Sequence, residues 1–424
     1  GFLRMATRPY DIILWGSTGF TGRLTALYLA ETAKRQLPAL RWAVAGRDEA
    51  KLKALSAELQ AAGCAAPPVL LASATVQEQV DGVVSQAKVV ISTAGPFANH
   101  GTPVVDACVR LGTDYADING ETGWHREMID RYDAAARAKG VVLVPSSGFD
   151  SIPSDLGAQW MAERVASELG APARRVTCYA ALQGGFSGGT VASGILGEET
   201  HGKRLADPFL LGGARTGGAR PEDADVGAAA FDDGVGSWVA PFGMATINTR
   251  MVRRTVGLLE EGGGGASPFS ADFTYRECAL APSEEVAAKV ARANAAPAAK
   301  RRELVDRGRL PKQGDGPTAE QRAASWFRFL LVAEASGAPA GRRLVGSVSG
   351  GDPGYDETAK MLAETGLLLA LERPSLPPRA AAGGFLTPAS ACGGALRERL
   401  HARGIVFEAL DLSMLPGGEP RARL

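Results

Sequence analysis

Tyr10-Asp-Ile-Ile-Leu-Trp15 running into Gly16-Ser-Thr-Gly19-Phe-Thr-Gly22 is the stretch that decides the fold. An apolar strand enters a glycine-rich turn, and a helical pattern follows over residues 21–35. Glycines let a backbone turn tightly and approach a pyrophosphate closely, while free N–H groups at the start of the next helix stabilise its charge. The spacing is G-x-x-G-x-x-G, a variant of the commoner dinucleotide fingerprint, and its place between strand and helix gives it weight. Gly16, Ser17, Thr18, Gly19, Phe20, Thr21 and Gly22 are therefore expected to contact a cofactor, with hydroxyls of Ser17, Thr18 and Thr21 adding to the backbone.

Beyond this unit the alternation continues. Strands are predicted at 11–15, 42–45, 69–71, 89–93, 114–117 and 141–144, with helices at 21–35, 49–62, 76–85, 103–111 and 121–139. Thr102 is placed to cap the fourth helix, with Pro103 in its first turn. Right-handed crossovers then build an α/β fold with a Rossmann-type doubly wound parallel sheet. After Pro145 the rhythm changes. Asp150 or Ser151 is expected to cap a helix that Gly170 ends, and longer strands at 175–181 and 269–280 mix with a helix at 284–294. This reads as an inserted α+β second domain. Residues 212–236 and 261–266, rich in Gly with little to bury, are expected to be mobile loops. The predicted boundaries are 6–150 for the nucleotide domain, 151–350 for a substrate and dimerisation domain, and 351–424 for C-terminal helices returning to the first sheet.

The second strand selects the cofactor. An acidic residue there suits the ribose 2′-hydroxyl of NAD, whereas Arg accommodates the 2′-phosphate of NADP. The strand ends Ala45-Gly46-Arg47-Asp48. The planar fork of Arg47 suits phosphate and Gly46 leaves room for it; Asp48 either caps the next helix or reaches the ribose. NADP (as NADPH) is the expected cofactor. Ser73, after the third strand, is expected near the adenine end, and Thr93-Ala94-Gly95-Pro96-Phe97 closes the fourth strand beside the nicotinamide ribose. His100 is a candidate proton donor, and Asp117 with Glu121 a candidate acid/base pair, each weighed against capping or ion pairing.

Composition excludes other classes. With 46 Lys+Arg against 46 Asp+Glu the formal charge is zero, without the basic footprint of a nucleic-acid binder. Hydrophobic residues at 45% and charged residues at 22% permit a sizeable core. The five cysteines are an odd number without a C-x-x-C pair, and the four histidines form no i, i+4 pair. Neither a disulfide framework nor a metal site is expected, which suits a reducing intracellular compartment. Met5 is a plausible native start, leaving residues 1–4 and organelle targeting undetermined.

Further motifs resemble those of the saccharopine dehydrogenase-like oxidoreductases, including the trans-acting enoyl reductases of bacterial glycolipid assembly. They include Gly112-Thr-Asp-Tyr-Ala-Asp117, Gly148-Phe-Asp-Ser-Ile-Pro-Ser-Asp155, Ser187-Gly-Gly-Thr190, Pro241-Phe-Gly-Met-Ala245 with Ile247-Asn-Thr-Arg250, Leu310-Pro-Lys with Gly314-Asp-Gly-Pro317, Gly351-Asp-Pro-Gly-Tyr355 and Gly383-Gly-Phe-Leu-Thr-Pro388. The chain departs from the pattern at His100, where the family often has Tyr, and at Ala72-Ser-Ala74, which lacks an Asp. The resemblance implies an NADPH-dependent reductase acting on an enoyl group of a lipid or glycolipid intermediate, with peripheral association with lipid droplets or membranes. Two other readings stand beside it. An imine-reducing amino-acid dehydrogenase would present Arg250 or Arg253 to substrate carboxylates, and a non-catalytic nucleotide-binding protein would serve a structural or sensing role on lipid. A homodimer is a further expectation.

Overall fold

The computed structural model describes residues 8–185, 187–213, 218–261, 267–312, 315–337 and 342–416. The first six strands are β1 (Tyr10–Trp15), β2 (Trp42–Gly46), β3 (Val69–Leu71), β4 (Ala87–Ser92), β5 (Asp114–Asp117) and β6 (Val142–Val144). Next come β7 (Ala173–Gln183), β8 (Ala230–Asp232), β9 (Ser237–Ala240), β10 (Phe269–Ala281), β11 (Trp326–Ala335) and β12 (Arg343–Gly350). The last two are β13 (Gly384–Phe385) and β14 (Val406–Leu410).

The first sheet has the order β13-β6-β5-β4-β1-β2-β3, and every pairing in it is parallel. Its strands are apolar on both faces because helices cover both. In β1, Ile12 and Leu14 join the core beneath helices Phe20–Arg35 and Asp356–Leu371, while Ile13 and Trp15 face the core beneath Thr102–Leu111 and Thr122–Lys139. Gly366 allows helix Asp356–Leu371 to settle on the sheet, since a methyl there would lie 2.6 Å from Ile91 Cγ2. The doubly wound α/β architecture expected from the sequence is thus present.

The second sheet is mixed, in the order β14-β12-β11-β7-β10-β9-β8, with β7 and β10 parallel and the other neighbours antiparallel. Its inner face, including Phe327, Phe329 and Leu331, packs with helix Ile152–Leu169 into the same core as the first sheet. The segment after Gly350 is shared between the sheets, because β13 extends the first and β14 the second.

Three local expectations are corrected. Thr102 does not cap: it lies inside helix Thr102–Leu111, and its hydroxyl instead accepts the indole N–H of Trp124 at 2.9 Å. Neither Asp150 nor Ser151 makes a side-chain cap on helix Ile152–Leu169, although Gly170 ends it in the left-handed conformation. Residues 221–236 are not an unstructured loop, because Pro221–Asp223 forms a 3-10 turn, β8 joins the sheet and Val235 is buried. The glycine run 262–266, Phe186, Gly314 and residues 1–4 lie outside the described residues.

Candidate functional site: a dinucleotide cradle at the carboxyl edge

The loops after β1, β2, β4, β5 and β6 meet at the carboxyl edge of the parallel sheet, where open α/β sheets hold ligands. Gly16 has φ +79°, and a methyl there would stand 2.9 Å from both Cβ and N of Ala94. A methyl on Gly22 would lie 2.3 Å from Gly16 O. No larger residue fits either position, so the turn is pressed against the β4 loop and the helix starts directly beneath it. Helix Phe20–Arg35 has Gly19 as N-cap, no side-chain cap and no acid in its first turn. The N–H groups of Thr18, Phe20, Thr21 and Gly22 have no acceptor among the described residues. The cradle therefore offers open donors and the positive end of a helix, which fits a pyrophosphate.

The remaining fingerprint residues divide by role. The Thr18 and Thr21 hydroxyls have no acceptor among the described residues and remain available to a ligand. Ser17 does not, because its buried hydroxyl donates to Ala45 O at 3.3 Å. Phe20 turns towards the second half of the chain, with its ring 5.0 Å from that of Tyr355 and 5.6 Å from the Arg322 guanidinium. A methyl on Gly316 would lie 2.5 Å from the Phe20 ring, so Phe20 docks the cradle onto the other domain. Thr93 Oγ1 donates to Gly16 O at 3.0 Å and pins the turn. Sequence reasoning put all three side chains on the cofactor; the structure gives them to the scaffold that holds the loop.

Arg47 is exposed just beyond the buried Gly46, and its guanidinium has no protein partner among the described residues. Asp48 caps helix Glu49–Ala61 by accepting the Lys51 N–H at 3.0 Å. That resolves the ambiguity at the end of β2: the acid is engaged in a cap and the cation is free for a 2′-phosphate. Ser73 lies in the loop after β3, next to Ala72, whose N–H bonds Gly46 O, and its hydroxyl pairs with Thr75 Oγ1 at 2.8 Å.

Ala94 and Gly95 face the Gly16 turn and helix Gly188–His201 respectively, and the Gly95–Pro96 peptide is cis. Phe97 is buried, with its ring 6.1 Å from that of Trp124. His100 is half-buried at the end of the single turn Phe97–His100.

Asp117 and Glu121 are not an acid/base pair in a cleft. Asp117 is fully buried; Oδ1 accepts the N–H groups of Asn119 (2.9 Å) and Ser146 (3.2 Å), and Oδ2 accepts the Tyr115 hydroxyl at 2.9 Å. Burial pushes its carboxyl up to about 7 against those hydrogen bonds. Glu121 accepts the N–H groups of Phe97 and Ala98 at 2.8 Å each, and the Ser193 hydroxyl at 2.8 Å. It fastens the Gly95-Pro96 loop to helix Gly188–His201. Asp114 is likewise committed, to Arg373 and the Val142 N–H.

Arg250 and Arg253 do not present themselves to a substrate. Arg250 pairs with Asp225 and donates to Asp207 O and Leu205 O, while Arg253 donates to Pro208 O, Asp223 O and Tyr275 O. Sequence reasoning placed Asp150 both as a helix cap and among several carboxylates that could face one cleft, and gave no role to Asp155, Glu277 or Tyr355. The three acids are each pushed up to about 7, by burial first. The signal for Asp150 and Asp155 was Gly148-Phe-Asp-Ser-Ile-Pro-Ser-Asp155 in the segment that follows β6, at the ligand edge. Among the described residues, no group of His, Cys, Asp and Glu could hold a metal ion, and no helix is long and apolar enough to cross a membrane.

Comparison with known proteins agrees with this geometry. Residues 12–144 match the saccharopine dehydrogenase NADP binding domain. A Mycobacterium tuberculosis protein whose name places it among the trans-acting enoyl reductases is 36% identical, covering 96% of this chain and 99% of its own. A trans-acting enoyl reductase of Mycobacterium bovis is 33% identical over the same shares. The solved saccharopine dehydrogenase (L-Glu forming) of Saccharomyces cerevisiae superposes with a TM-score of 0.48 at 12% identity, covering 94% of this chain and 99% of that one. With an NADP cradle in place and near full-length similarity to these relatives, the chain belongs to the trans-acting enoyl reductase family of saccharopine dehydrogenase-like, NADP-dependent oxidoreductases.

Proposed function

We propose that this oxidoreductase reduces the carbon–carbon double bond of an enoyl group in a lipid-like intermediate. One observation carries the choice of substrate class: Arg250 and Arg253, the cations an amino-acid adduct with several carboxylates would require, are buried and bonded within the protein. The names of the mycobacterial relatives point the same way.

When bound, the cofactor supplies the hydride. The residues of the chain hold the cofactor. The open N–H groups of Thr18, Phe20, Thr21 and Gly22 would hold the pyrophosphate, Arg47 would take the 2′-phosphate, and the Gly95-Pro96 loop would border the nicotinamide end. Glu121 and Ser193 fix helix Gly188–His201 over that loop, and Gly316 packs against Phe20 beside the glycine turn. A docking role on lipid droplets or membranes and a homodimer extend the same reading.

The test is NADPH oxidation by the purified protein with long-chain trans-2-enoyl thioesters, run beside an amino acid plus keto acid mixture. Turnover of the thioesters alone is the expected result. Oxidation only with the amino-acid mixture would sink the proposal.

A further inference from the structure

Asp150 closes the loop after β6, on the same sheet edge as Gly16 and Gly95. The buried acids at that edge or behind it have partners: Asp117 and Glu121 hold backbone N–H groups, Asp155 holds Thr255 and Ala389, and Glu277 holds Asn248 and Tyr275. Asp150 has none. No described residue makes a hydrogen bond or ion pair to its carboxyl, and Oδ1 is shut off from water, as is the unpartnered Oγ of Ser151 beside it. The space is made by Gly120 in the loop after β5, where a methyl would stand 2.9 Å from Asp150 Oδ2.

A partly buried carboxyl with one oxygen shut off from water and no protein partner is costly in its ionised form and adds no bond to the scaffold, so it is open to a task in the chemistry. The titratable group within electrostatic reach of it is Glu277 on β10. Glu277 is itself an acid and does not favour the ionised form. Burial alone pushes the carboxyl up to about 7, where a general acid is most effective at neutral pH.

We propose that Asp150 is the proton donor of the reduction, delivering its carboxyl proton to the substrate carbon next to the one that receives hydride. The proposal rests on the enoyl-reductase reading. The substrate's double bond takes two electrons and one hydrogen as hydride at one carbon, and the Asp150 proton at the other. NADPH leaves as NADP, the C=C bond becomes CH–CH, and Asp150 is left as carboxylate until water returns the proton. His100, the donor considered from sequence, lies at the far end of the Phe97–His100 turn.

The experiment compares Asp150→Asn with the unmodified protein in three readouts: NADPH binding by fluorescence, reduction of a long-chain trans-2-enoyl thioester, and the protonated-carboxyl C=O band in infrared difference spectra across neutral pH. Asp150→Asn should bind NADPH within about twofold of the unmodified protein, lose at least ~100-fold in turnover, and lack one carboxyl band that titrates near neutrality. Asp150→Ser replaces it if the Asn variant does not fold. Retained turnover in the variant, or the absence of any band that the substitution removes, overturns the role of Asp150 alone. An unmodified protein that binds NADPH yet reduces no enoyl thioester overturns the reductase reading and this proposal with it.

Discussion

The carboxylate of Glu121 accepts the backbone N–H of Phe97 at 2.8 Å, so an acid at the end of one loop holds the loop of the neighbouring strand. Its other oxygen takes the Ala98 N–H and the first also takes the Ser193 hydroxyl, which makes Glu121 the joint between two loops and a helix of the second domain. Replacing it with Ala orphans two N–H groups near the cofactor edge. Glu121→Ala should lose about 3 kcal/mol of stability in urea unfolding, with weaker NADPH binding, while Glu121→Gln recovers part of both. A variant as stable as the parent would remove the joint from the account.

Arg47 and Asp48 stand side by side with separate tasks. The free guanidinium of Arg47 predicts that Arg47→Ala raises the NADPH dissociation constant ~10–100-fold and leaves NADH binding unchanged, measured by fluorescence titration at fixed salt. Asp48 caps its helix, so Asp48→Ala should cost about 1 kcal/mol of stability and leave the NADPH preference intact. A switch in preference on replacing Asp48 would reverse the assignment.

How much of this was legible in the sequence follows from the range of each interaction. The Gly16 to Gly22 turn and the β5 strand were readable because the pattern is local: a strand, a turn and a helix lie within some tens of residues. The roles of Ser17, Phe20 and Thr93 were not, because each points at a partner distant in the chain: Ala45, Tyr355 and Gly16. Asp117 and Glu121 were recognised as acids at the ligand edge, yet only the fold shows that backbone N–H groups already occupy them. Strand β14 was missed for a similar reason. Val406–Leu410 is short, and what makes it a strand is the exposed edge of β12.

Asp155 supplies a prediction in pH. It is fully buried, with Oδ2 accepting the Ala389 N–H at 2.8 Å and Oδ1 bonded to the Thr255 hydroxyl, and burial pushes its carboxyl from 3.8 up to about 7. The folded state therefore binds this proton more tightly than the unfolded chain does. The contribution is fully present below the unfolded value and is lost as pH rises through the folded one. Between pH ~5 and ~7 the parent should lose stability relative to Asp155→Asn by up to about 1.4 kcal/mol per pH unit, read from urea midpoints. Parallel curves for the two proteins would show that Asp155 is ionised throughout.

Glu364 ties three helices together inside the nucleotide domain. It is wholly buried in helix Asp356–Leu371, where it accepts the Tyr28 hydroxyl from Phe20–Arg35 and pairs with Arg399 at 2.6 Å and Arg403 at 3.1 Å from the C-terminal end of the chain. Burial of Tyr28, with Glu364 next to it, pushes the phenol well up, so the hydroxyl stays a donor at any ordinary pH. Removing the acid would leave two guanidinium groups half-sheltered without their counter-ion and the phenol without its acceptor. Glu364→Ala should lose about 3–5 kcal/mol. The cradle lies at the N-terminal end of helix Phe20–Arg35, away from Tyr28, so NADPH affinity measured well below the unfolding midpoint should change little. Loss of affinity at full foldedness would mean that the C-terminal helices set the geometry of the glycine turn as well as its stability.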